Sequence, residues 1–426
     1  MNQDEIERTI EAVWRMESAM IIAKLARMLR NVGLAEEIAQ DAWLTALEQW
    51  RESGIPDNPG AWLMTTAKNR AIDQLRRRQL MERKSAIMSH DSDLPGSQDS
   101  AGDPVSAAED VADDLLRLIF VACHPVLSME GRASLTLRLL GGLTPAEIAR
   151  AFLTSESAIQ QRIVRAKRTL SEARVPFEVP GAAERAQRLA SVLEVIYLIF
   201  NEGYAATAGD EWMRPALCEE ALRLGRILAE LAPAEPEVHG LVALMELQAS
   251  RTPARVTASG EPILLLKQNR SVWDQLLIRR GLAALARAQS FDAPLGRYSL
   301  QAAIAACHAR APTGEETDWP RIVALYDALH ELQPSPVVAL NRAVAVSMAY
   351  GAAAALQIVD ALRNESRLRE YHLLPSVRGD LLERLGRFDE AREEFWHAAS
   401  LANNSRERNL LLERMAACDP PAGRIN

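Results

Sequence analysis

The apolar residues of this chain recur mostly at intervals of three and four positions, and alternating strand-like runs are scarce. This spacing predicts helices with one buried side, so the fold class is predicted to be all-α. The first apolar stripe ends near residues 31–33 and consists of Met20, Ile21, Leu25, Met28 and Leu29. A helix over 35–50 is predicted next, with a buried side made of Ile38, Ala42, Leu44, Ala46 and Leu47.

The clearest helix boundaries lie between residues 135 and 170. Gly141 and Gly142 break one helix, and Thr144 with Glu147 forms a capping box that starts the next. Thr154 or Ser155 can cap a second helix, whose predicted inner side is Ala158, Ile159, Ile163, Ala166 and Leu170. Two short helices joined by a tight turn form a helix-turn-helix, a motif that places its second helix in the major groove of DNA.

The outer side of that second helix is polar and basic. The candidate DNA-binding residues are Ser155, Ser157, Gln160, Gln161, Arg162, Arg165, Lys167 and Arg168. Arginine and lysine bind phosphates, and glutamine can pair with an adenine edge through two hydrogen bonds. An ordinary helical hairpin with a solvated face is the alternative interpretation.

The composition supports the helical interpretation and limits the class of protein. Of the 426 residues, 48% are hydrophobic and only 5% are aromatic. The four cysteines are widely spaced without a CxxC pair, so they fit a reducing compartment and are predicted to be small core residues. No signal peptide and no apolar run of membrane-spanning length are found, which predicts a soluble, cytoplasmic protein without a membrane partner.

The net charge of −8 hides a strong separation of charge along the chain. Residues 61–84 are basic, whereas residues 89–114 contain eight acids and no Lys or Arg. Because local fields act on a polyanion more strongly than total charge does, a nucleic-acid surface remains possible. The residues over 89–110 cannot form a core and are predicted to be a flexible tether, which either confers solubility or mimics nucleic acid in a basic channel.

A basic helix is predicted from residue 60 to about residue 78, with Asn58 as its cap and Pro59 at its first position. Its candidate residues for separated DNA strands are Trp62, Thr66, Asn69, Arg70, Arg76 and Arg77. Phosphates supply attraction for such a surface, and polar or aromatic groups hold unstacked bases. The terminal arginines also complement the helix dipole, so part of the cluster can be structural.

Three motifs in order, 35–47, 61–78 and 137–170, resemble bacterial RNA polymerase sigma factors of the extracytoplasmic function (ECF) group. The resemblance implies a region 2-like domain whose acidic residues Glu37, Gln40 and Asp41 dock on the polymerase clamp helices. It also implies that the helix over 61–78 holds the promoter −10 element, and that a region 4-like domain reads the −35 element and touches the flap. Gln160 and Gln161 stand where the family often has Lys-Ser, so family promoter preferences do not transfer. Acids early in a helix also suit its dipole, which is the structural alternative for Glu37 and Asp41.

The chain continues for about 250 residues beyond the usual length of this group. Helices are predicted over 182–231 with residues 197–204 between them, and residues 251–270 are predicted to contain a loop. Residues 379–403 match the offsets of a tetratricopeptide repeat, and residues 343–359 match them more loosely. The chain thus resembles the ECF subgroup with a tetratricopeptide-like extension, which implies a regulatory or partner-binding role for these repeats. The predicted domains are 1–84 (region 2-like), 85–110 (acidic linker), 111–175 (region 4-like) and 176–426 (helical repeats).

No pattern of residues predicts an enzyme, a cofactor or a metal site. Cys307 and His308 lie in an apolar helix and are predicted to be core residues, while Trp273 and Trp319 are predicted packing anchors. Three functions remain. The first is a sigma factor that binds core RNA polymerase and promoter DNA. The second is a repressor or activator that uses only the helix-turn-helix, and the third is a scaffold whose repeats bind a protein.

Overall fold

The computed structural model describes residues 3–88, 104–152, 154–205, 213–257 and 260–418. In these ranges the protein consists of α-helices and short 3-10 turns, with one isolated β-bridge between Val256 and Pro262. This confirms the predicted all-α class. The chain divides into two compact units, unit 1 (Met1–Ile196) and unit 2 (Tyr197–Asn426).

Unit 1 is built from seven complete helices and the first part of an eighth. They are α1 (Gln3–Leu29), α2 (Val32–Ser53), α3 (Pro59–Met88), α4 (Pro104–Ala122), α5 (Met129–Leu139), α6 (Pro145–Ala151), α7 (Glu156–Glu172) and α8 (Ala182–Tyr204). Within this unit α1 packs against α2, α3 and α4, and α7 packs against α5 and α6. The predicted apolar stripes form the core, where Ile21, Leu25 and Ile159 are fully buried.

Local capping signals fix the helix starts. Asn31 caps α2 by accepting a hydrogen bond from the Leu34 N–H at 3.0 Å. Asn58 accepts one from the Ala61 N–H at 3.0 Å and so begins α3, as predicted. Each cap satisfies an N–H that the first turn of a helix leaves without a partner.

The extents of the helices differ from the predictions at three places. Two helices extend into the predicted linker, since α3 ends at Met88 and α4 begins at Pro104. Residues 89–103 lie outside the described residues. The predicted break at 197–204 is wrong, because α8 is continuous through Tyr204. Leu44 was predicted to be buried but is 50% exposed, because no helix of the described residues covers that side of α2.

Unit 2 continues with helices that pack mainly against their neighbours in sequence. They are α9 (Pro215–Leu231), α10 (Pro236–Ala249), α11 (Gln275–Gln289), α12 (Arg297–Arg310), α13 (Trp319–Leu332), α14 (Pro336–Tyr350), α15 (Ala352–Leu362), α16 (Leu373–Arg384), α17 (Phe388–Leu401) and α18 (Ser405–Ala417). The segment between α10 and α11 contains three 3-10 turns, in agreement with the loop predicted there.

The predicted repeat at 379–403 is a helical hairpin formed by α16 and α17. A Cβ on Gly379 would lie 2.9 Å from the Phe395 ring, so the glycine is what allows the two helices to approach. The four cysteines are buried, and so are His308, Trp273 and Trp319, which confirms their predicted packing roles.

Candidate nucleic-acid interface

The helix-turn-helix of unit 1 forms as its capping signals predict. The Thr144 hydroxyl accepts from the Glu147 N–H at 3.2 Å, and the Glu147 carboxylate accepts from the Thr144 N–H at 2.8 Å. Ser155 caps α7 by accepting from the Ala158 N–H at 3.2 Å. The predicted inner side of α7 is buried except for Ala158, which is half-buried. The packing of that side fixes which residues of α7 face outward.

The outward side of α7 is a continuous polar and basic surface, which we call the α7 face. It forms a shallow depression of about 450 Å³ lined by Ser157, Gln160, Gln161, Val164, Arg165 and Arg168. All six residues are exposed, and Val164 is 64% exposed. Val164 adds a small apolar contact between two glutamines and two arginines of this surface. Ser155 is also exposed, and Arg162 is half-buried.

Within the α7 face the polar groups make few and weak internal contacts. Gln160 donates to the Glu156 carboxylate at 3.0 Å, and the exposed Arg168 lies 3.3 Å from Glu172. Among the described residues Arg165 has no carboxylate partner. Exposed pairs of this kind contribute at most about 1 kcal/mol, so a phosphate can displace them easily.

Lys167 does not belong to the α7 face, although the sequence placed it there. Its ammonium forms an ion pair with the carboxylate of Glu36 on α2. The same carboxylate accepts from Arg138 Nε of α5 at 2.7 Å. Position 167 follows the buried Ile163 by four residues, so helical spacing was a signal for this inward direction.

Glu36 is 2% exposed and is the centre of a charged contact between the helices of unit 1. It also accepts a hydrogen bond from Gln40. Arg138 is held a second time by the Leu143 carbonyl at 3.0 Å. A buried carboxylate with two cations joins α2 to α5 and α7, and no pattern in the sequence predicted this role.

The basic helix α3 presents a second candidate surface. The Trp62 ring packs edge-on against the buried Trp50 at 5.3 Å, and Thr66 is half-buried beside it on the helix. Asn69, Arg76 and Arg77 are exposed. The half-buried Trp62 is therefore held in a fixed orientation by Trp50, while the polar residues remain open to solvent.

Arg70 and Arg76 differ from the other candidates because they have acidic partners. Arg70 donates to the Thr45 hydroxyl at 2.6 Å and lies 3.7 Å from the Asp41 carboxylate. The exposed Arg76 lies 3.7 Å from Asp73. Arg70 thus connects α3 to α2, so the predicted DNA surface and the predicted polymerase surface share one contact.

The predicted polymerase surface lies on the outer side of α2. Glu37 and Asp41 are exposed. The exposed Leu44 and Glu48 follow them by seven residues each, so all four side chains lie on the same side of the helix. Gln40 is half-buried by its bond to Glu36. The sequence pattern assigned Leu44 to the core, so its place on this exposed side of α2 was not predicted.

Neither a metal-binding cluster nor a reactive thiol at Cys123 is found among the described residues. No group of three or more His, Cys, Asp or Glu residues in them is placed to hold a metal ion. Burial raises the pKa of the Cys123 thiol to about 11, so this thiol is protonated at neutral pH and unreactive. Among the described helices, none is long and apolar enough to cross a membrane.

A helix-turn-helix with an exposed Gln/Arg surface, together with a second basic helix that carries a packed tryptophan, is the arrangement expected of a DNA-binding protein. The comparisons with known proteins give the family. Residues 14–80 match Sigma-70 region 2, residues 117–170 match Sigma-70 region 4, and residues 188–289 match a family of unknown function, DUF6596.

The relatives align with either most of the chain or a smaller share of it. The chain is 46% identical over 398 residues to an uncharacterised protein of Rhizobium meliloti, an alignment that covers 92% of each chain. It is 34% identical over 151 residues to the ECF RNA polymerase sigma factor SigK of Mycobacterium ulcerans, covering 34% of this chain and 75% of that protein. It is 26% identical over 178 residues to a probable ECF RNA polymerase sigma factor, SigI, of Mycobacterium tuberculosis, covering 41% and 59%.

The chain belongs to the ECF RNA polymerase sigma factors, in the subgroup with a helical C-terminal extension. It is a promoter-recognising sigma factor that acts with core RNA polymerase in transcription initiation. The match of residues 14–80 to region 2 decides against a repressor or activator that uses the helix-turn-helix alone.

Proposed function

We propose that the α7 face reads the −35 element in the DNA major groove. The observation that supports this most strongly is the separation of cations on α7, where Arg165 and Arg168 point outward and Lys167 is paired inward with Glu36. Gln160 and Gln161 would contact base edges, while Arg165 and Arg168 would contact phosphates. Ser157 lies within this surface, Ser155 and Arg162 flank it, and Lys167 is left out of it.

For the −10 element the proposed surface is the outer side of α3. Trp62 is backed by Trp50, so its ring loses little conformational freedom when an unstacked base packs against it. Thr66 and Asn69 offer hydrogen bonds to base edges, and Arg76 and Arg77 offer charge to the phosphates of the separated strands. Arg70 has a positioning role, because its guanidinium joins Thr45 and Asp41 of α2.

The outer side of α2 is the proposed contact with the polymerase clamp helices. Glu37 and Asp41 supply negative charge, Leu44 supplies an exposed apolar centre, and Gln40 borders them. An apolar side chain surrounded by charges is the usual composition of a protein interface, with a hydrophobic centre and a polar rim. The helices α4 to α7 would contact the flap.

Unit 2 is proposed to regulate the sigma factor as a non-catalytic module that binds a protein partner. Stacked helical hairpins expose an extended surface, and the last complete hairpin leaves Phe388 and Trp396 exposed by 50% and 62%. As a sigma factor, the protein would act in the cytoplasm with core polymerase.

The decisive experiment is run-off transcription with core enzyme on genomic promoter fragments. We expect a specific product from the full chain, none from core alone, and no duplex binding by the free chain in a gel shift. Absence of any product across the fragments, with core binding intact, would refute promoter recognition. Specific duplex binding without core would instead support a classical repressor or activator.

Template design separates the two DNA surfaces. Asn69→Ala should lose product on duplex promoters and recover it on a template with a pre-opened bubble, if α3 serves strand opening. Gln161→Ala should lose product on both templates, because the −35 element is duplex in each. Identical behaviour of the two variants would contradict the division of roles.

Truncation tests unit 2. The cut belongs after residue 205, because α8 contributes to unit 1 through Ser191, whose hydroxyl donates to the Cys123 carbonyl at 2.6 Å. A chain ending at residue 205 should still bind core polymerase but give a changed level of transcription. An unchanged level, with added cell extract as well as without it, would refute regulation by unit 2.

A further inference from the structure

A cavity of about 650 Å³ lies within unit 1, where the corner between α1 and α2 meets the C-terminal end of α7. It is larger and more enclosed than the depression on the α7 face and lies on the inward side of that helix. Lys167 and Leu170 line it, whereas Arg165 and Arg168 do not. The volume falls within the range of sites that hold a small molecule, about 300–1,000 Å³.

The charge of the cavity wall is strongly unbalanced. Four cationic side chains, Arg27, Arg30, Lys167 and Arg174, line it against one carboxylate, Glu178. Lys167 is paired with Glu36, and Arg27 Nε lies 3.2 Å from Asp114. Arg30 and Arg174 line the cavity at its exposed side and have no carboxylate partner among the described residues, so their positive charge is available to an anion there.

The backbone adds donors to this wall. The Asn31 side chain accepts a hydrogen bond from the Leu34 N–H, and the Asn31 carbonyl accepts one from the Ala35 N–H, each at 3.0 Å. The N–H groups of Val32 and Gly33, which also line the cavity, come before these two in the first turn of α2. Such N–H groups lack a partner within the helix and carry the positive end of its dipole.

We propose that this cavity is a binding site for a small ligand with two or more phosphate groups. Two uncompensated arginines suit multiply charged oxygen anions, because guanidinium groups bind phosphate through paired hydrogen bonds. A DNA backbone does not fit, since the cavity is concave and lies across α7 from the α7 face. Because α1, α2 and α7 all contribute to the wall, a bound ligand holds the region 2 and region 4 helices of unit 1 together.

The test is calorimetric titration of the full chain with pyrophosphate, with orthophosphate as the weaker probe. The double variant Arg30→Gln/Arg174→Gln should raise the Kd for pyrophosphate at least about tenfold, since it removes two charged hydrogen-bond partners. The matched control is Arg150→Gln/Arg185→Gln, which removes the same charge from exposed positions outside the cavity. Equal Kd values for the two double variants, or no heat with the wild type at millimolar pyrophosphate, would overturn the proposal.

A variant that is expected to bind pyrophosphate more tightly keeps the test valid even if the double variant misfolds. Glu178→Gln removes the single lining carboxylate and should tighten pyrophosphate binding about two- to threefold, a modest change because the site is in contact with solvent. Weaker binding by this variant would contradict the proposal. The double variant Arg165→Gln/Arg168→Gln should leave pyrophosphate binding unchanged. If this variant lost pyrophosphate binding, the anion would bind on the α7 face and not in the cavity. These outcomes do not depend on promoter binding, so failure of one proposal leaves the other standing.

Discussion

The arginines of α7 and those of the last repeats in unit 2 are used in opposite ways. In unit 2, Arg378 of α16 donates to Asp360 at 2.8 Å and to Glu394 at 2.6 Å, and so joins three helices. Arg414 of α18 donates to Asp380 at 2.8 Å and lies over the Phe395 ring at 4.4 Å. These cations have their anions within the fold.

On the α7 face the two arginines are exposed, and each has either a weak acidic partner or none. Arg165 lacks a carboxylate partner among the described residues, and Arg168 has only the exposed Glu172. A cation that the fold does not need is available to a phosphate, whereas one already paired would lose its partner on binding. Pairing therefore separates structural from DNA-facing arginines better than the number of arginines in a segment does.

The largest effect is expected for Glu36→Gln in unit 1. The change removes the buried anion that both Arg138 and Lys167 require, and breaking a buried pair costs about 4 kcal/mol. Amide hydrogen exchange in α2, α5 and α7 should accelerate accordingly. The matched control is Glu37→Gln, an exposed neighbour that should leave exchange unchanged. Equal exchange in both variants would show that the Glu36 pairs add nothing to stability.

A somewhat smaller effect is expected for Arg378→Ala in unit 2. The Arg378 side chain is 11% exposed, so its loss leaves Glu394 and Asp360 without their shared partner, at a cost of about 3 kcal/mol. Urea unfolding should show the loss as a lower midpoint for the repeats. Arg387→Ala, which removes an exposed pair with Glu390, should leave the urea midpoint almost unchanged. Equal shifts would remove the distinction between buried and exposed arginines.

The sequence predicted what depends on neighbours along the chain. The caps at Asn58, Thr144 and Ser155 were all predicted correctly, because a cap needs only residues within one helical turn. The helical hairpin at 379–403 was predicted for the same reason, since the small Gly379 and the large Phe395 lie in one repeat.

Features that depend on distant helices were missed or misplaced. The exposure of Leu44 follows from the absence of a covering helix, and the inward direction of Lys167 follows from Glu36, which is 131 positions away. The exposure of Leu44 is not visible in a local pattern, and the spacing from Ile163 indicates the direction of Lys167 but not its partner. The roles of the α7 and α3 residues in DNA binding remain predictions, because exposure shows that a side chain is available and does not show what it binds.

A third use of an arginine is seen at the half-buried Arg270, which is held by carbonyls and not by carboxylates. It donates to the carbonyls of His308 at 2.9 Å and Ala311 at 2.8 Å. Burial, together with the charges of Arg251 and Arg270, lowers the pKa of His308 to about 3. The folded protein therefore binds fewer protons than the unfolded chain between pH 3 and about 6.5, and stability is lost as pH falls through this window.

The expected loss in unit 2 between pH 7.5 and pH 5 is about 2 kcal/mol, from the linkage relation. His308→Gln should show a smaller loss over the same interval, measured by hydrogen exchange in α12 and α13. The exposed His330→Gln serves as the control and should keep the wild-type pH dependence. A wild-type dependence in His308→Gln would mean that His308 is not held neutral.

The smallest effect is expected where the cation is already unpaired. Arg165→Ala removes no internal contact of the described residues, so the unfolding free energy should change by less than about 0.5 kcal/mol. Promoter binding by the holoenzyme should weaken by about 1 kcal/mol, because a phosphate contact is lost. The slope of log K against log salt should become shallower by about one ion.

Arg185→Ala, an exposed arginine outside the α7 face, is the control and should change neither the affinity nor the salt slope. If Arg165→Ala destabilised unit 1 while its salt slope stayed at the wild-type value, Arg165 would be a structural residue like Arg378. The absence of an internal partner would then no longer distinguish DNA-facing arginines in this protein. A shallower salt slope with unchanged stability in Arg165→Ala would support the distinction between paired, structural arginines and unpaired, DNA-facing ones.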